Sequence, residues 1–292
     1  MKKTRLKDNL IAYMFLAPFL VLASIFMLFP MMRGVYNSFF DFRFGSQEFV
    51  GIGNYVHVFT NELYILSMRN SLLFVFTVVP LIIFFGLIIA GSIYDKRSIY
   101  TSSVRIALYI PVVASMVVMS VIWRFMLDSQ TGLSRYLFDR LGMQPVNLLG
   151  DARWTMIVLI FVVFTMNIGQ SVVLYVATMI GIPSELAEAL SIDGGNRWHL
   201  FRYLLIPFSK PITLFIFITQ SAAVLRVFVV IQLLTNGGPN FSSTTMMFLL
   251  YRDGLIYGNF GRASALGVVM FFMTIVLVLI QFRMFKERKE VA

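Results

Sequence analysis

The chain contains no cysteine. That absence excludes a disulfide scaffold, a thiol nucleophile and a thiolate metal site together, and it leaves the redox compartment unreadable. Charge is also scarce, at 13% of 292 residues, whereas 59% are hydrophobic. A soluble domain of this length would show far more charge. There are two histidines, His57 and His199. They fall in segments expected on opposite sides of a membrane, so a shared metal or acid–base role is not expected. No G-x-x-x-x-G-K-[ST] sequence occurs anywhere, so the loop that cradles nucleotide phosphates is missing and the chain is not expected to be an enzyme. Paired carboxylates and histidine clusters that would signal a polytopic membrane enzyme are lacking too. Neither low-complexity tails nor an internal duplication between the halves is visible, so the inverted-repeat pattern of many secondary transporters is not evident.

What is present is apolar sequence in long runs. The 30 Phe and 18 Met could not be displayed on a water-facing surface without aggregation. A membrane-spanning helix needs about 20 mostly apolar residues. Six such intervals are predicted, at 10–32, 70–94, 106–123, 154–182, 211–234 and 263–282. These are solid runs, unlike the short alternating segments of a β-barrel. The fold class is therefore an all-α membrane protein with six transmembrane helices, read as one domain over residues 1–292. The first run follows Lys2, Lys3, Arg5 and Lys7, but it is too long for a signal's apolar core and lacks a small-residue cleavage site, so it is read as a retained helix.

The net charge of +10 is a matter of distribution. With the N-terminus inside, the inner segments hold Lys2, Lys3, Arg5, Lys7, Lys96, Arg97, Arg105, Arg197, Arg202, Lys210, Arg283, Lys286, Arg288 and Lys289. Every lysine falls on that side, so the positive-inside rule places both termini in the cytoplasm. Basic residues spread over short loops form no contiguous stripe for a phosphate backbone, which argues against nucleic-acid binding. The outer loops are 33–69, 124–153 and 235–262. The first contains FVGIGNYVHVF (49–59), with the glycine–aromatic alternation of a packed surface loop.

One inner segment is unlike the rest. Residues 185–207 read ELAEALSIDGGNRWHLFRYLLIP. Pro183 and Ser184 form a helix start, and Glu185 and Glu188 suit the positive end of the helix dipole. Gly194 and Gly195 should interrupt that helix, and Trp198, Phe201 and Leu205 make a second apolar stripe after the break. A connector resting on lipid headgroups would turn Lys and Arg toward the lipid, whereas this one carries Glu185, Glu188 and Asp193. An acidic, glycine-hinged protrusion is better suited to a protein partner.

The spacing Glu188-Ala189-Leu190, three residues, Gly194, nine residues, Leu204-Leu205-Ile206-Pro207 resembles the EAA loop of binding-protein-dependent ABC importer permeases. Leu190 stands in place of the second Ala. IQLLTNGGPNFSSTT (231–245) is similar to the T-x-GGP segment of the carbohydrate-uptake, maltose-type branch, and GRASALG (261–267) to the run opening its last helix. The opening IAYMFLAPFL (11–20) is of the same type.

The resemblance implies a type I importer permease fold and a chain forming half of a sugar-translocation pore. It implies as partners a second homologous permease, two copies of a cytoplasmic ATPase that uses ATP and Mg, and an extracytoplasmic solute-binding protein, in a bacterial inner membrane. No cofactor is expected on this chain. ATPase coupling falls to Glu185, Glu188, Ala189, Asp193, Gly194, Gly195 and Pro207 within 183–207. Small Ala189 and Gly194 permit close approach, and Glu188 can pair with a partner's cation.

Polar residues within spans are pathway candidates. Asn167, Gln170 and Ser171 share one side of the fourth span; Gln220, Ala223 and Val224 share a face of the fifth. The resemblance places Asn167, Gln170, Gln220, Ala223 and Val224 at sugar-contacting positions, though Ala223 and Val224 replace an aromatic and an amide, which disfavours maltose itself. Bonding between helices is the alternative role for the amides. Arg226 either snorkels outward, faces the pore or packs between helices. Pro80 and Pro111 are expected to kink their helices. The rival readings are a channel or a secondary transporter working without ATP.

Overall fold

The computed structural model describes residues 2–43, 46–95 and 98–285. Of the inner cations named above, Lys96, Arg97, Lys286, Arg288 and Lys289 lie outside the described residues. The chain divides into two compact units, Met1–Asn61 with Leu250–Val269, and Glu62–Leu249 with Met270–Ala292.

The first unit opens with α1 (Lys2–Ala23), continues through a π-helical turn, Ser24–Leu28, into α2 (Phe29–Asn37), and then forms an antiparallel hairpin of β1 (Phe40–Arg43) and β2 (Ser46–Phe49). Between Tyr13 and Asn37 the most apolar window has no side chain buried in protein. A helix that is apolar on all sides suits a lipid surrounding. The helix α3 (Gly53–Thr60) follows the hairpin. Its buried Asn54 donates to the carbonyls of Ser38 at 2.9 Å and Phe40 at 2.8 Å, fixing the hairpin's base. Gly261 lies against the Phe40 carbonyl so closely that no Cβ would fit.

The second unit is built on α4 (Glu62–Ile93) and α8 (Ala152–Ile180). Phe74, Val75, Val78, Val79 and Ile82 recur at helical spacing along α4 and are all 0–1% exposed. They share one core with Leu159, Val162, Val163, Val172 and Val176 of α8. Between them lie α5 (Ile99–Val113), α6 (Met116–Met126) and α7 (Leu133–Arg140). Gly169 of α8 faces the Leu108 carbonyl of α5 with no room for a Cβ. Small residues of this kind let helices approach where lipid supplies no hydrophobic drive.

Beyond α8 come α9 (Ser184–Ile192), α10 (Arg197–Leu200), a π-helical turn Phe201–Leu205, α11 (Ile206–Phe208) and α12 (Lys210–Leu225). Then follow α13 (Val229–Leu234), α14 (Met246–Tyr251), a π-helical turn Arg252–Ile256 and α15 (Phe260–Phe285). Tyr13–Asn37, α4, α8 and α15 are each long and apolar enough to span a membrane, and two bent pairs complete a set of up to six.

The bent pairs fall at the intervals expected at 106–123, where Pro111 is expected to kink the helix, and 211–234. The first breaks between Val113 and Met116 and turns by 106°. Ala114 and Ser115 are extended there, and Ser115 accepts from the Val117 amide at 3.2 Å. Pro111, which cannot donate to the helix ladder, weakens the last turn just ahead of a serine able to cap a new helix. In the second pair Arg197–Phe208 meets α12 at 63°. The expected interval then stops at Leu225, because Arg226 folds its Nε back onto the Ala222 carbonyl at 2.9 Å. A cation on the last carbonyls caps the helix, and the chain resumes as a helix at Val229. Around Pro80, by contrast, α4 is continuous.

Candidate coupling segment and solute path

The acidic segment folds as helix, turn, helix. α9 begins after Pro183, with Glu185 in its first turn. It ends in a specific closure. The Gly195 amide donates to the Leu190 carbonyl at 2.8 Å and the Gly194 amide to the Ser191 carbonyl at 3.1 Å, with Gly194 at φ +79°. These two bonds around a left-handed residue are the Schellman closure, and glycine adopts that conformation without a Cβ penalty. A Cβ on Gly194 would meet nothing within 4 Å, whereas one on Gly195 would lie 2.7 Å from Leu190 Cγ. Gly194 is thus a conformational requirement and Gly195 a packing one.

After the turn, Asn196 starts α10 by accepting from the Trp198 and His199 amides, both at 3.0 Å, while His199 Nδ1 accepts from the Asn196 amide at 3.2 Å. The histidine left without a metal partner in the sequence reading thus serves a helix cap. Glu185, Glu188, Ala189, Asp193 and Gly194 are exposed, as are Ile192 at 85% and Trp198 at 61%. The knob therefore presents carboxylates and bare apolar side chains together. Pro207 lies in α11, just ahead of the bend into α12. Arg197 Nη2 reaches Asp95 Oδ2 at 3.7 Å; both are well exposed, so the pair adds little stability by itself.

The pathway candidates do not form one exposed set. Gln170 is exposed, and Asn167 and Ala223 are half-buried. Asn167 Nδ2 donates to the Val163 carbonyl on its own helix at 2.7 Å. Gln220 and Val224, expected on the same lining face as Ala223, are 4% and 2% exposed. Their positions repeat with Ile216, 0% exposed, on the packed side of α12. Ser171 is buried as well.

Several polar side chains with structural consequences escaped the sequence reading. Asn70 Nδ2 donates to the carbonyls of Ser242 at 2.8 Å and Thr244 at 2.9 Å, and Ser71 Oγ accepts from the Met246 amide at 2.9 Å. These pin the TNGGP loop to α4. Inside the loop the hydroxyls of Thr235 and Ser243 meet at 2.8 Å, and Thr245 Oγ1 donates to the Val227 carbonyl at 3.0 Å. Buried Gln281 donates to Ser221 Oγ at 2.7 Å, joining α15 to α12. Their only signal was a polar residue inside an apolar run. Among the described residues, no group of three or more His, Asp or Glu side chains is placed to hold a metal ion.

Residues 82–287 match the family described as "Binding-protein-dependent transport system inner membrane component". The chain is 31% identical to the "Osmoprotective compounds uptake permease protein GgtC" of Synechocystis sp., over 95% of this chain and 99% of that one. It is 28% identical to the "Lactose transport system permease protein LacF" of Rhizobium radiobacter, over 95% and 94%. In fold it is similar to a chain of a bacterial alginate ABC transporter crystallised with an alginate pentasaccharide-bound periplasmic protein, with TM-score 0.86 at 22% identity, covering 97% and 96% of the two chains.

The chain belongs to the family of binding-protein-dependent transport system inner membrane components. It is a multi-pass, mostly helical permease subunit of an ABC importer with the type I fold, its one departure from an all-α chain among the described residues being the β1–β2 hairpin, and it is not itself a catalyst. The family sets aside the channel and secondary-transporter readings.

Proposed function

We propose that this chain forms half of the pore of an ATP-driven importer for a sugar or sugar derivative, working in a bacterial inner membrane with both termini in the cytoplasm. Its partners are a second homologous permease, two copies of a cytoplasmic ATPase and an extracytoplasmic solute-binding protein. ATP and Mg are used by the ATPase, and this chain binds neither. The relatives named for lactose, arabinooligosaccharides and osmoprotective compounds support a hydroxyl-rich solute.

The observation that carries the reading is the exposed knob at residues 183–199 of the 183–207 segment. Glu185 and Glu188 project from α9 beside a glycine-closed helix end, and an acidic rim with apolar Ile192 and Trp198 matches a shallow socket with cations at its edge. Ala189 and Asp193 lie on that exposed surface, and Gly195 and Pro207 set the angles on either side of the second helix. Asn167, Gln170 and Ala223 are the pathway candidates that remain accessible on this chain.

The test is to purify the transporter with its solute-binding protein and identify by mass spectrometry what that protein retains. A mono- or oligosaccharide, or a glycosyl or polyol derivative, is expected. A chain that purifies without an ATP-hydrolysing subunit, or supports uptake without ATP, would refute the proposal.

A further inference from the structure

We infer that α4 is a strut carrying movement between the cytosolic knob and the outer TNGGP loop, with Gly91 and Asn70 as its positioning residues. The inference rests on the permease reading above and goes beyond it by assigning the route between the two faces.

At one end α4 has a notch at Gly91. A Cβ there would lie 2.8 Å from Phe201 Cδ2 and Cε2 and 3.7 Å from Leu205 Cδ1. Phe201 opens the π-helical turn after α10, and its ring stacks on Trp198 at 5.9 Å between centroids. Leu205 is 2% exposed and neighbouring Ala90 is 0% exposed. The π-helical turn shifts the register of the side chains it carries, so the helix that follows the knob presses an aromatic ring into α4 before it continues toward α12.

At the other end Asn70, 7% exposed, and Ser71, 1% exposed, hold three backbone groups of the TNGGP loop and its exit: the Ser242 and Thr244 carbonyls and the Met246 amide. Cross-links inside the loop, Ser243 Oγ to the Gly238 carbonyl at 2.6 Å and Thr244 Oγ1 to the Gly237 carbonyl at 3.2 Å, make it move as one piece. The two ends are separated by roughly 30 Å of helix at 1.5 Å per residue.

The shaft between them is stiff. Pro80 removes one ladder bond, but Val75, Val78, Val79 and Ile82 around it are 0–1% exposed, and close-packed side chains of this kind resist bending. A packed element held by direct contacts at both ends can be biased from either site, and the coupling must then be reciprocal.

The chain's lack of cysteine makes the test direct. Phe241, 49% exposed at φ 60°, already carries a side chain in a left-handed conformation, so Phe241→Cys places a single thiol on the loop without new backbone strain. The transporter assembled with its ATPase and binding protein is put in nanodiscs, and the maleimide labelling rate of that thiol is compared before and after trapping with ATP, Mg and vanadate. Trapping is expected to change the rate at least about fivefold, the lower range of coupling between distant sites. Gly91→Val and Asn70→Ala should each abolish that change while ATP hydrolysis without the binding protein persists, and Phe201→Leu should restore it in the Gly91→Val background. A merely structural role would alter the rate with and without nucleotide alike. Variants that respond as the parent does, or a parent that shows no response, would overturn the strut, whereas absence of a co-purifying ATPase would overturn the permease reading beneath it.

Discussion

Replacement of Gly194 separates two effects that a single mutation would confound. Its φ of +79° lies where an L-residue's Cβ crowds the following carbonyl, at about 1–2 kcal/mol for an ordinary side chain. Asn and Asp tolerate that region. Nothing within this chain lies within 4 Å of the position a Cβ would take, so no steric term from the chain itself is added. The Schellman bonds from Gly194 to Ser191 at 3.1 Å and from Gly195 to Leu190 at 2.8 Å are what the strain would loosen. A cost of about 1.4 kcal/mol is a tenfold shift between closed and frayed knob.

Uptake and ATP hydrolysis should be measured on the assembled transporter for Gly194→Asn, →Ala, →Val and →Asp. Backbone strain alone predicts Asn close to the parent, Ala lower, and β-branched Val lowest, with transport down by at most about tenfold for a cost of about 1.4 kcal/mol. Asp shares the conformational tolerance of Asn but adds a charge to an already acidic knob, so it should hydrolyse ATP without uptake while Asn does not. The Asn–Asp difference then measures the partner's socket, and the Gly–Val difference the helix end. Normal transport by Val, or equal loss in Asn and Val, would refute the assignment of Gly194 to a strained closure; normal transport by Asp would refute its place in the socket.

Two smaller predictions follow from hydrogen bonds seen in the structure. The buried Gln281–Ser221 bond at 2.7 Å should contribute only about 0.6 kcal/mol, as interhelical bonds in membranes do, so a double-mutant cycle of Gln281→Leu and Ser221→Ala read by thermal unfolding in detergent should give a coupling below about 1.7 kcal/mol. The carboxylate of Asp128 accepts from the Thr131 amide at 2.8 Å, the Gln130 amide at 2.9 Å and the Thr131 hydroxyl at 3.1 Å, and these bonds, the Thr131 amide first, hold its pKa below the usual carboxylate value. Because the folded value is depressed, the turn's stabilisation is present above the ordinary carboxylate range and is lost as pH falls through the lowered value. Amide exchange at Thr131, normalised for its intrinsic acid dependence, should accelerate in that acid window, and Asp128→Asn should remove the dependence.

The apolar intervals gave the membrane class directly, because lipid leaves a chain few ways to satisfy its backbone and about 20 apolar residues announce the commonest. The acidic knob was legible for a related reason. Local rules fix a helix start at Pro183 and Ser184 and a helix end at Gly194, and both lie within a few residues of the groups they control. Spacing alone made the segment resemble its family.

Other features depend on neighbours distant in sequence. Gln220 and Val224 look like lining residues along α12, but whether that face meets solute or core is decided by which helix packs there, and they are 4% and 2% exposed. The 106° turn after Val113 hides in an interval whose hydropathy is unbroken, since a serine cap and a proline carry little weight in an average. Asn70 and Ser71 sit more than 170 positions before the backbone groups they hold, and Gly91 precedes Phe201 by 110. The sequence by itself determined that the chain is a set of apolar helices with one polar, glycine-closed knob, because periodicity and capping are properties of adjacent residues. Only the tertiary structure decided which polar groups face inward and which helix joins the knob to the outer loop, because burial and hydrogen-bond partners are set by packing between segments.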